Sequence, residues 1–232
     1  MLKTNSQVLT RVDRDTFQQF KSQDELPLGG RIKRSFDILF ASVSLVLTSI
    51  LFVCVALAIR LTSNGPVFFT HMRVGQGGKE FPCLKFRTMR TDADEVLNKL
   101  ISEDPEAQKE FQTYQKLRND PRVLPFVGTF LRKTSLDELP QFINVLRGEM
   151  SVVGPRPVTR EELTVNYGVH ARDVLKSRPG ITGLWQVSGR SELSYAERVK
   201  LDRLYIRTWS FWTDVTLVMR TFAVLLTRKG AY

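Results

Sequence analysis

The chain has 232 residues, 42% hydrophobic and 25% charged, with a net charge of +10. That length and apolar content support a compact domain with attachments and exclude global disorder. The basic balance selects anionic partners (nucleic acid, anionic lipid or phosphorylated substrates). The two cysteines, Cys54 and Cys83, and two distant histidines, His71 and His170, offer neither a disulfide framework nor metal-ligand spacing, so both thiols are expected to be reduced packing groups.

Residues 1–30 are polar, end in Gly29-Gly30, and read as a flexible arm. The apolar run that follows starts too late for a signal peptide and lacks a small-residue cleavage pattern. From Ile38 to Ile59, 22 consecutive residues carry no charge. As a helix they reach about 33 Å, enough for a bilayer core. Their only polar groups are Ser42, Ser44, Thr48, Ser49 and Cys54, without the polar stripe of a soluble helix. A membrane-inserted helix over 31–60 is therefore expected. Arg31, Lys33 and Arg34 precede the run; Arg60 and Arg73 follow it. Basic residues on both sides divide the positive-inside rule and favour a helix that enters and returns over one that crosses. Asp37 is expected to pair with Lys33 and Arg34 at headgroup level.

Two strand-like runs come next, Pro66–Val74 and Phe81–Met89, joined by Gly75-Gln76-Gly77-Gly78-Lys79. This glycine cluster fits a hairpin turn with positive φ; it matches neither a P-loop nor a dinucleotide fingerprint. Lys85 and Arg87 alternate onto one strand face. They are either solvated or a pair of phosphate-binding cations, and spacing favours neither. Thr91–Leu117 reads as a charged helical pair with Pro105 opening its second half, stopped at Asn119-Asp120-Pro121. A short helix over Phe126–Lys133 follows.

The stretch Thr134–Pro157 holds adjacent carboxylates, Asp137 and Glu138. Leu139, Phe142, Ile143 and Leu146 are spaced as the buried face of a helix that Gly148 can end. Pro140 is tolerated only in the first turn, which places Asp137 at or just before the N-cap; the alternative is a Ser135-x-x-Glu138 capping box. A helix N-terminus would keep Asp137 ionised, as a nucleophile or metal ligand. The same residues also make good caps, and on spacing alone the capping role weighs more. Gly154-Pro155-Arg156-Pro157 restricts Arg156 to extended backbone, a guanidinium presented at low entropic cost. Beyond it, helices are expected over Thr159–Asp173, Ser194–Arg207 and Phe211–Thr227. A Gly/Pro-punctuated segment from Arg178 lies among them. Trp209, Phe211 and Trp212 form either a headgroup-level belt or a core anchor.

Five ordered motifs now coincide: Lys33-Arg34-Ser35-Phe36-Asp37; Lys85-Phe86-Arg87-Thr88-Met89; Arg132 through Gln141; Gly154 through Pro157; and Lys176 through Gln186. Together they resemble the bacterial sugar transferase family, the monotopic phosphoglycosyl transferases, over roughly Arg31 to Tyr232. The Trp185-Gln186-Val187-Ser188-Gly189-Arg190 segment and the Gly230-Ala231-Tyr232 ending are most similar to galactose- and glucose-1-phosphate transferases of exopolysaccharide and O-antigen initiation. Larger members carry a further N-terminal membrane domain, and the resemblance covers their catalytic portion.

The resemblance implies an α+β, mostly helical fold. Added to the polar arm (1–30) and to the re-entrant course that the basic flanks favour for the membrane helix (31–60), this gives a compact cytoplasmic catalytic domain (61–232) with a small β-hairpin and interfacial amphipathic helices, at the bacterial inner membrane. It implies transfer of hexose-1-phosphate from a UDP-hexose to undecaprenyl phosphate. Asp137 is the implied nucleophile and Glu138 the Mg²⁺-binding partner. Lys85, Arg87, Arg132 and Arg156 are the candidate phosphate contacts. The partners are then the two substrates and inner-membrane lipid, not nucleic acid, with C-terminal apolar surface that a homodimer could use. A membrane-tethered basic binding or scaffold protein is the alternative; it leaves the carboxylate pair and Pro-Arg-Pro unused. The family commonly breaks the membrane helix at Ser-Pro; Ser49-Ile50 stands there in this chain.

Overall fold

The structure is a computed structural model that describes residues 27–114, 117, 119–189 and 193–227. Nearly all of the arm, Arg190 and the Gly230-Ala231-Tyr232 ending lie outside the described residues. The fold is α+β and mostly helical, with two small two-stranded sheets. The chain divides into two compact units that interleave along the sequence. Among the described residues, the first takes 27–47, 70–84 and 140–227; the second takes 48–69 and 85–139.

The apolar run forms two helices, α1 (Gly30–Leu47) and α2 (Ser49–Thr62), bent by 63° at Thr48 without a proline. No single helix among the described residues is long and apolar enough to cross a membrane; α1 and α2 qualify by length and composition only as this bent pair. Val46, Leu47, Ile50, Leu57 and Leu61 are exposed. Cys54 is exposed on α2, contrary to the packing role expected of it, whereas Cys83 is buried.

In the first unit, α1 packs on α6 (Gln141–Arg147) and on β3 (Ser151–Val153). The core collects Ala41, Phe81, Val145, Met150, Val152, Val153, Tyr205 and Leu217, with Phe36, Phe40 and Phe142 against it. The expected headgroup pairing of Asp37 with Lys33 and Arg34 does not form. Lys33 and Asp37 are buried, and both fasten α1 to the interior. Lys33 Nζ donates to the Val153 carbonyl at 2.8 Å and to Asp214 Oδ2 at 2.6 Å. Asp37 Oδ1 accepts from Ser151 Oγ at 2.8 Å and from the Val152 N–H at 2.9 Å. Arg34 instead donates to the carbonyls of Val145 and Leu146 at the C-terminal end of α6, where a cation also suits the helix dipole.

Local signals place most of the remaining elements. The hairpin pairs β1 (Phe68–Val74) with β2 (Glu80–Phe86), and Gly77 and Gly78 take positive φ in its turn. Helix α3 (Ala93–Glu103) is followed by α4 (Pro105–Tyr114), whose first turn is capped by Asp104 Oδ1. Helix α5 spans Val127–Thr134. A broken helical run over 160–174 (α7) leads to β4 (Gly180–Thr182), then α8 (Leu184–Ser188), α9 (Tyr195–Arg207) and α10 (Phe211–Thr227). Ser194 and Glu197 form a capping box for α9. The parallel pairing of β3 with β4, Ser151 on Gly180 and Val153 on Thr182, was not anticipated. On α6 the buried residues are Gln141, Asn144 and Val145, while Leu146 is exposed. The expected apolar face is therefore rotated: Asn144 bridges inward, accepting from the Leu84 N–H and donating to the Pro82 carbonyl.

The Lys33–Asp214 pair also binds Tyr205 and Trp209, which both donate to Asp214. Removing the cation leaves a buried carboxylate uncompensated, at a cost of about 3 kcal/mol. Lys33→Met should lower the thermal unfolding midpoint accordingly, and Lys33→Met combined with Asp214→Leu should recover part of the loss.

Candidate active site

The candidate site lies in the second unit and begins where α5 ends. Ser135 takes left-handed backbone (φ 57, ψ 18) and returns its N–H to the carbonyls of Leu131 and Arg132. A non-glycine residue there costs on the order of 1 kcal/mol, and the chain reverses into one tight turn, Leu136–Glu138. Leu136 and Leu139, three residues apart, both pack against the core of Val55, Ile59, Phe86 and Leu131. Asp137 and Glu138, between them, meet Lys85 on β2. Lys85 Nζ lies 2.7 Å from Glu138 Oε1 and 3.9 Å from Asp137 Oδ2. Arg132, in the last turn of α5, adds positive potential at Asp137.

The expected N-cap at Asp137 is not what the chain builds, nor is the capping box at Ser135. Helix α6 begins at Gln141 with Pro140 as its cap residue, and no side-chain cap forms at either turn. A turn of three residues has almost no dipole to lower a carboxyl pKa. Burial dominates instead. The Asp137 side chain is only 14% exposed, and desolvation pushes its carboxyl up to about 6, against the lowering by Lys85 and with a further rise from Glu138. Near neutral pH Asp137 is mostly ionised yet more basic than an ordinary aspartate, which suits a nucleophile.

The other candidate cations are placed differently. Arg87 is buried, and its guanidinium donates to the Asn64 carbonyl at 2.7 Å and to the Ser63 carbonyl and Oγ at 3.1 Å. It braces the 63–65 turn and makes no ion pair with the carboxylates. Arg156 belongs to the first unit. It follows β3 directly through Gly154, where a Cβ would stand 2.5 Å from the Arg178 carbonyl oxygen. The Arg156 guanidinium is exposed and lies 5.8 Å from the Trp185 ring centroid. Tyr195, Arg198, Tyr167 and Asp202 complete that setting. Sequence reasoning gave these residues no role. Trp185 stood in a quoted motif, but nothing local marked Asp202.

Among the described residues no three His, Cys, Asp or Glu side chains come together. Two adjacent carboxylates nonetheless fit Mg²⁺, which is usually held by one or two carboxylates together with substrate phosphates.

The family model for bacterial sugar transferases matches residues 29–228. The chain is 50% identical over 206 residues to the exopolysaccharide production protein ExoY of Rhizobium meliloti, covering 89% of this chain and 90% of that protein. It is 45% identical over 201 residues to an undecaprenyl-phosphate galactose phosphotransferase of Salmonella typhimurium, covering 87% of this chain and 42% of that one. It is 41% identical over 224 residues to a UDP-glucose:undecaprenyl-phosphate glucose-1-phosphate transferase of Escherichia coli, covering 90% and 44%. The chain thus spans less than half the length of the latter two. It belongs to the bacterial sugar transferase family.

The raised Asp137 pKa carries a stability consequence. The folded carboxyl binds its proton more tightly than the unfolded one, so stability is lost as pH rises from about 4 to about 6. Asp137→Asn should therefore stabilise the protein by about 1–3 kcal/mol at pH 8 and by almost nothing below pH 4. Denaturant titrations of both proteins at the two pH values measure this.

Proposed function

We propose that the chain transfers hexose-1-phosphate from a UDP-hexose to undecaprenyl phosphate through a covalent intermediate on Asp137. The observation that carries this reading is the Asp137-Glu138 pair, turned out of the core by its flanking leucines and held against Lys85. In the first step an Asp137 carboxylate oxygen bonds to the β-phosphorus. The bond from that phosphorus to the bridging oxygen breaks, and UMP leaves with the electron pair. In the second step a phosphate oxygen of undecaprenyl phosphate attacks the same phosphorus and releases the Asp137 carboxylate. The names of the relatives, which specify undecaprenyl-phosphate galactose and glucose phosphotransfer and exopolysaccharide production, support this substrate class.

Within the second unit, Lys85 and Arg132 supply positive charge beside Asp137 to receive phosphate oxygens. Arg156 is taken as a further phosphate contact, as its Pro-Arg-Pro setting implies. Arg87 acts by bracing the 63–65 turn. Mg²⁺, held by Glu138 with Asp137, would neutralise charge on the diphosphate. Lys85 already sits on Glu138, so it would yield or share that carboxylate when the ion binds.

The bent α1–α2 pair is assigned a re-entrant course, with the catalytic residues on the cytoplasmic face of the inner membrane, where nucleotide sugars are found. Sulfhydryl labelling of a cysteine placed in the arm, in sealed vesicles of known orientation, tests this. Labelling from the cytoplasmic side supports re-entry, and labelling from the periplasmic side alone contradicts it.

Purified protein should release UMP from a UDP-hexose when Mg²⁺ and undecaprenyl phosphate are supplied, and Asp137→Asn should reduce that release by at least about a thousandfold. Wild-type turnover by the Asp137→Asn protein would remove the nucleophile. Because the carboxylate must be ionised, kcat/KM should rise with pH to a midpoint near 6. Lys85→Met should move that midpoint upward, since Lys85 stabilises the ionised form.

A further inference from the structure

In the second unit the Phe126 side chain is 90% exposed, more than any other large apolar side chain among the described residues. Its backbone takes φ 55 and ψ −66, and the Val127 N–H donates across it to the Pro125 carbonyl at 2.6 Å. That is a γ-turn of the rare, strained kind, and a bulky residue at positive φ is an outlier. The turn is nonetheless rooted. Leu124 is buried and its N–H donates to the Thr88 carbonyl at 2.8 Å; the Arg90 N–H donates to the Arg122 carbonyl at 2.8 Å. Gly128 lies so close to Thr88 that a Cβ would collide with its carbonyl oxygen. The Phe130 N–H donates to the Phe126 carbonyl at 2.8 Å, which sets the two residues at helical spacing, and Phe130 is 57% exposed.

Two costs, strain and an aromatic ring in water, thus fall on one residue, and a contact that covers the ring offsets them. The surroundings select the occupant. Val127 and Leu131, on the inner side of α5, pack with Val55 and Ile59 of α2. Ile50, Val53, Leu57 and Leu61 of α2 are exposed and recur at steps of three and four, one apolar side of that helix. Lys133, three residues after Phe130, and Arg60, in the last turn of α2, are exposed and form no ion pair among the described residues. No acidic residue lies between Pro121 and Leu136. Aromatic rings at one end of a short helix and an ammonium at the other, beside an apolar helix, complement an anionic bilayer. The rings suit acyl chains and the cations suit headgroups.

We infer that Phe126 and Phe130 form a membrane wedge of the second unit, with their rings in the acyl region of the bilayer and Lys133 at headgroup level. The inference rests on the proposed membrane course of α1 and α2, and adds a lipid contact outside that pair. The wedge stands on the helix that leads into the Asp137 turn. The eight residues of α5 span about 12 Å. A strained but rooted turn at one end of so short a helix fixes the depth of the carboxylates at the other, which a flexible loop would not do.

The test reads depth rather than turnover. Full-length protein is reconstituted in vesicles of phosphatidylethanolamine and phosphatidylglycerol, and a nitroxide is attached to one cysteine at a time. Cys54, exposed on α2, is the reference for the membrane course, and Cys83 is buried. Phe126→Cys and Phe130→Cys, each combined with Cys54→Ser, carry the label at the wedge. Collisions of the label with oxygen, which concentrates among acyl chains, are compared with collisions with a water-soluble nickel chelate. The wedge predicts that oxygen collisions exceed chelate collisions severalfold at 126 and 130, as at Cys54. Chelate access at 126 and 130 with Cys54 shielded overturns the wedge and leaves the membrane course standing. Chelate access at Cys54 as well removes the membrane course, and the wedge with it. A label at 126 screened from both reagents reports a protein partner in place of lipid and also overturns the inference. If Phe126→Cys does not fold, Phe130→Cys reads the same contact without altering the strained turn.

Discussion

Everything at the candidate site depends on two leucines. Leu136 and Leu139 enter the core of the second unit, and the two residues between them are carboxylates. The left-handed Ser135 makes this turn possible by ending α5 abruptly. Burial then does two things at once. It fixes the direction of Asp137 and Glu138 toward Lys85, and it raises the pKa of Asp137 by desolvation. Lys85 lies much closer to Glu138 than to Asp137, so its charge stabilises the neighbour more directly than the proposed nucleophile. The result is an ionised but basic carboxylate, obtained at some cost in stability, as is common where a site needs reactivity.

The first unit is built on a different constraint. Lys33 and Asp37, one helical turn apart on α1, both reach β3, three residues of strand that continue directly into Gly154 and Arg156. The apolar helix and the Pro-Arg-Pro loop therefore share one buried polar anchor, with Tyr205 also donating to the Val153 carbonyl. Gly154 and Gly180 lie so close that a side chain on either would collide with the other strand's backbone. That closeness gives the loop a fixed root.

What could be read from sequence divides by range. Helix ends written in local chemistry were legible: Pro105 after Asp104, Gly148 at the end of α6, and the glycine hairpin turn. The α6 face was misjudged, because Asn144 is buried for the sake of backbone partners at Pro82 and Leu84 that no periodicity reveals. The cap assigned to Asp137 failed because the competing burial of Leu136 and Leu139 is a tertiary effect. The parallel β3–β4 pair is too short to announce itself, and the Lys33–Asp214 bond joins residues 181 positions apart. The candidate carboxylates and Pro-Arg-Pro were legible from ordered motifs, whereas Asp202, Tyr167 and Arg198 emerged only when α7 and α9 were brought together.

The central claim is that Asp137 becomes bonded to phosphorus. The most direct measurement is intact-protein mass spectrometry after incubation with a UDP-hexose and Mg²⁺ in the absence of undecaprenyl phosphate, followed by peptide mapping. The account predicts an added hexose-phosphate on the peptide bearing Asp137, formed with stoichiometric UMP and discharged when undecaprenyl phosphate is added. UMP release that requires undecaprenyl phosphate, with no adduct at any time, would mean direct transfer between substrates and would contradict it.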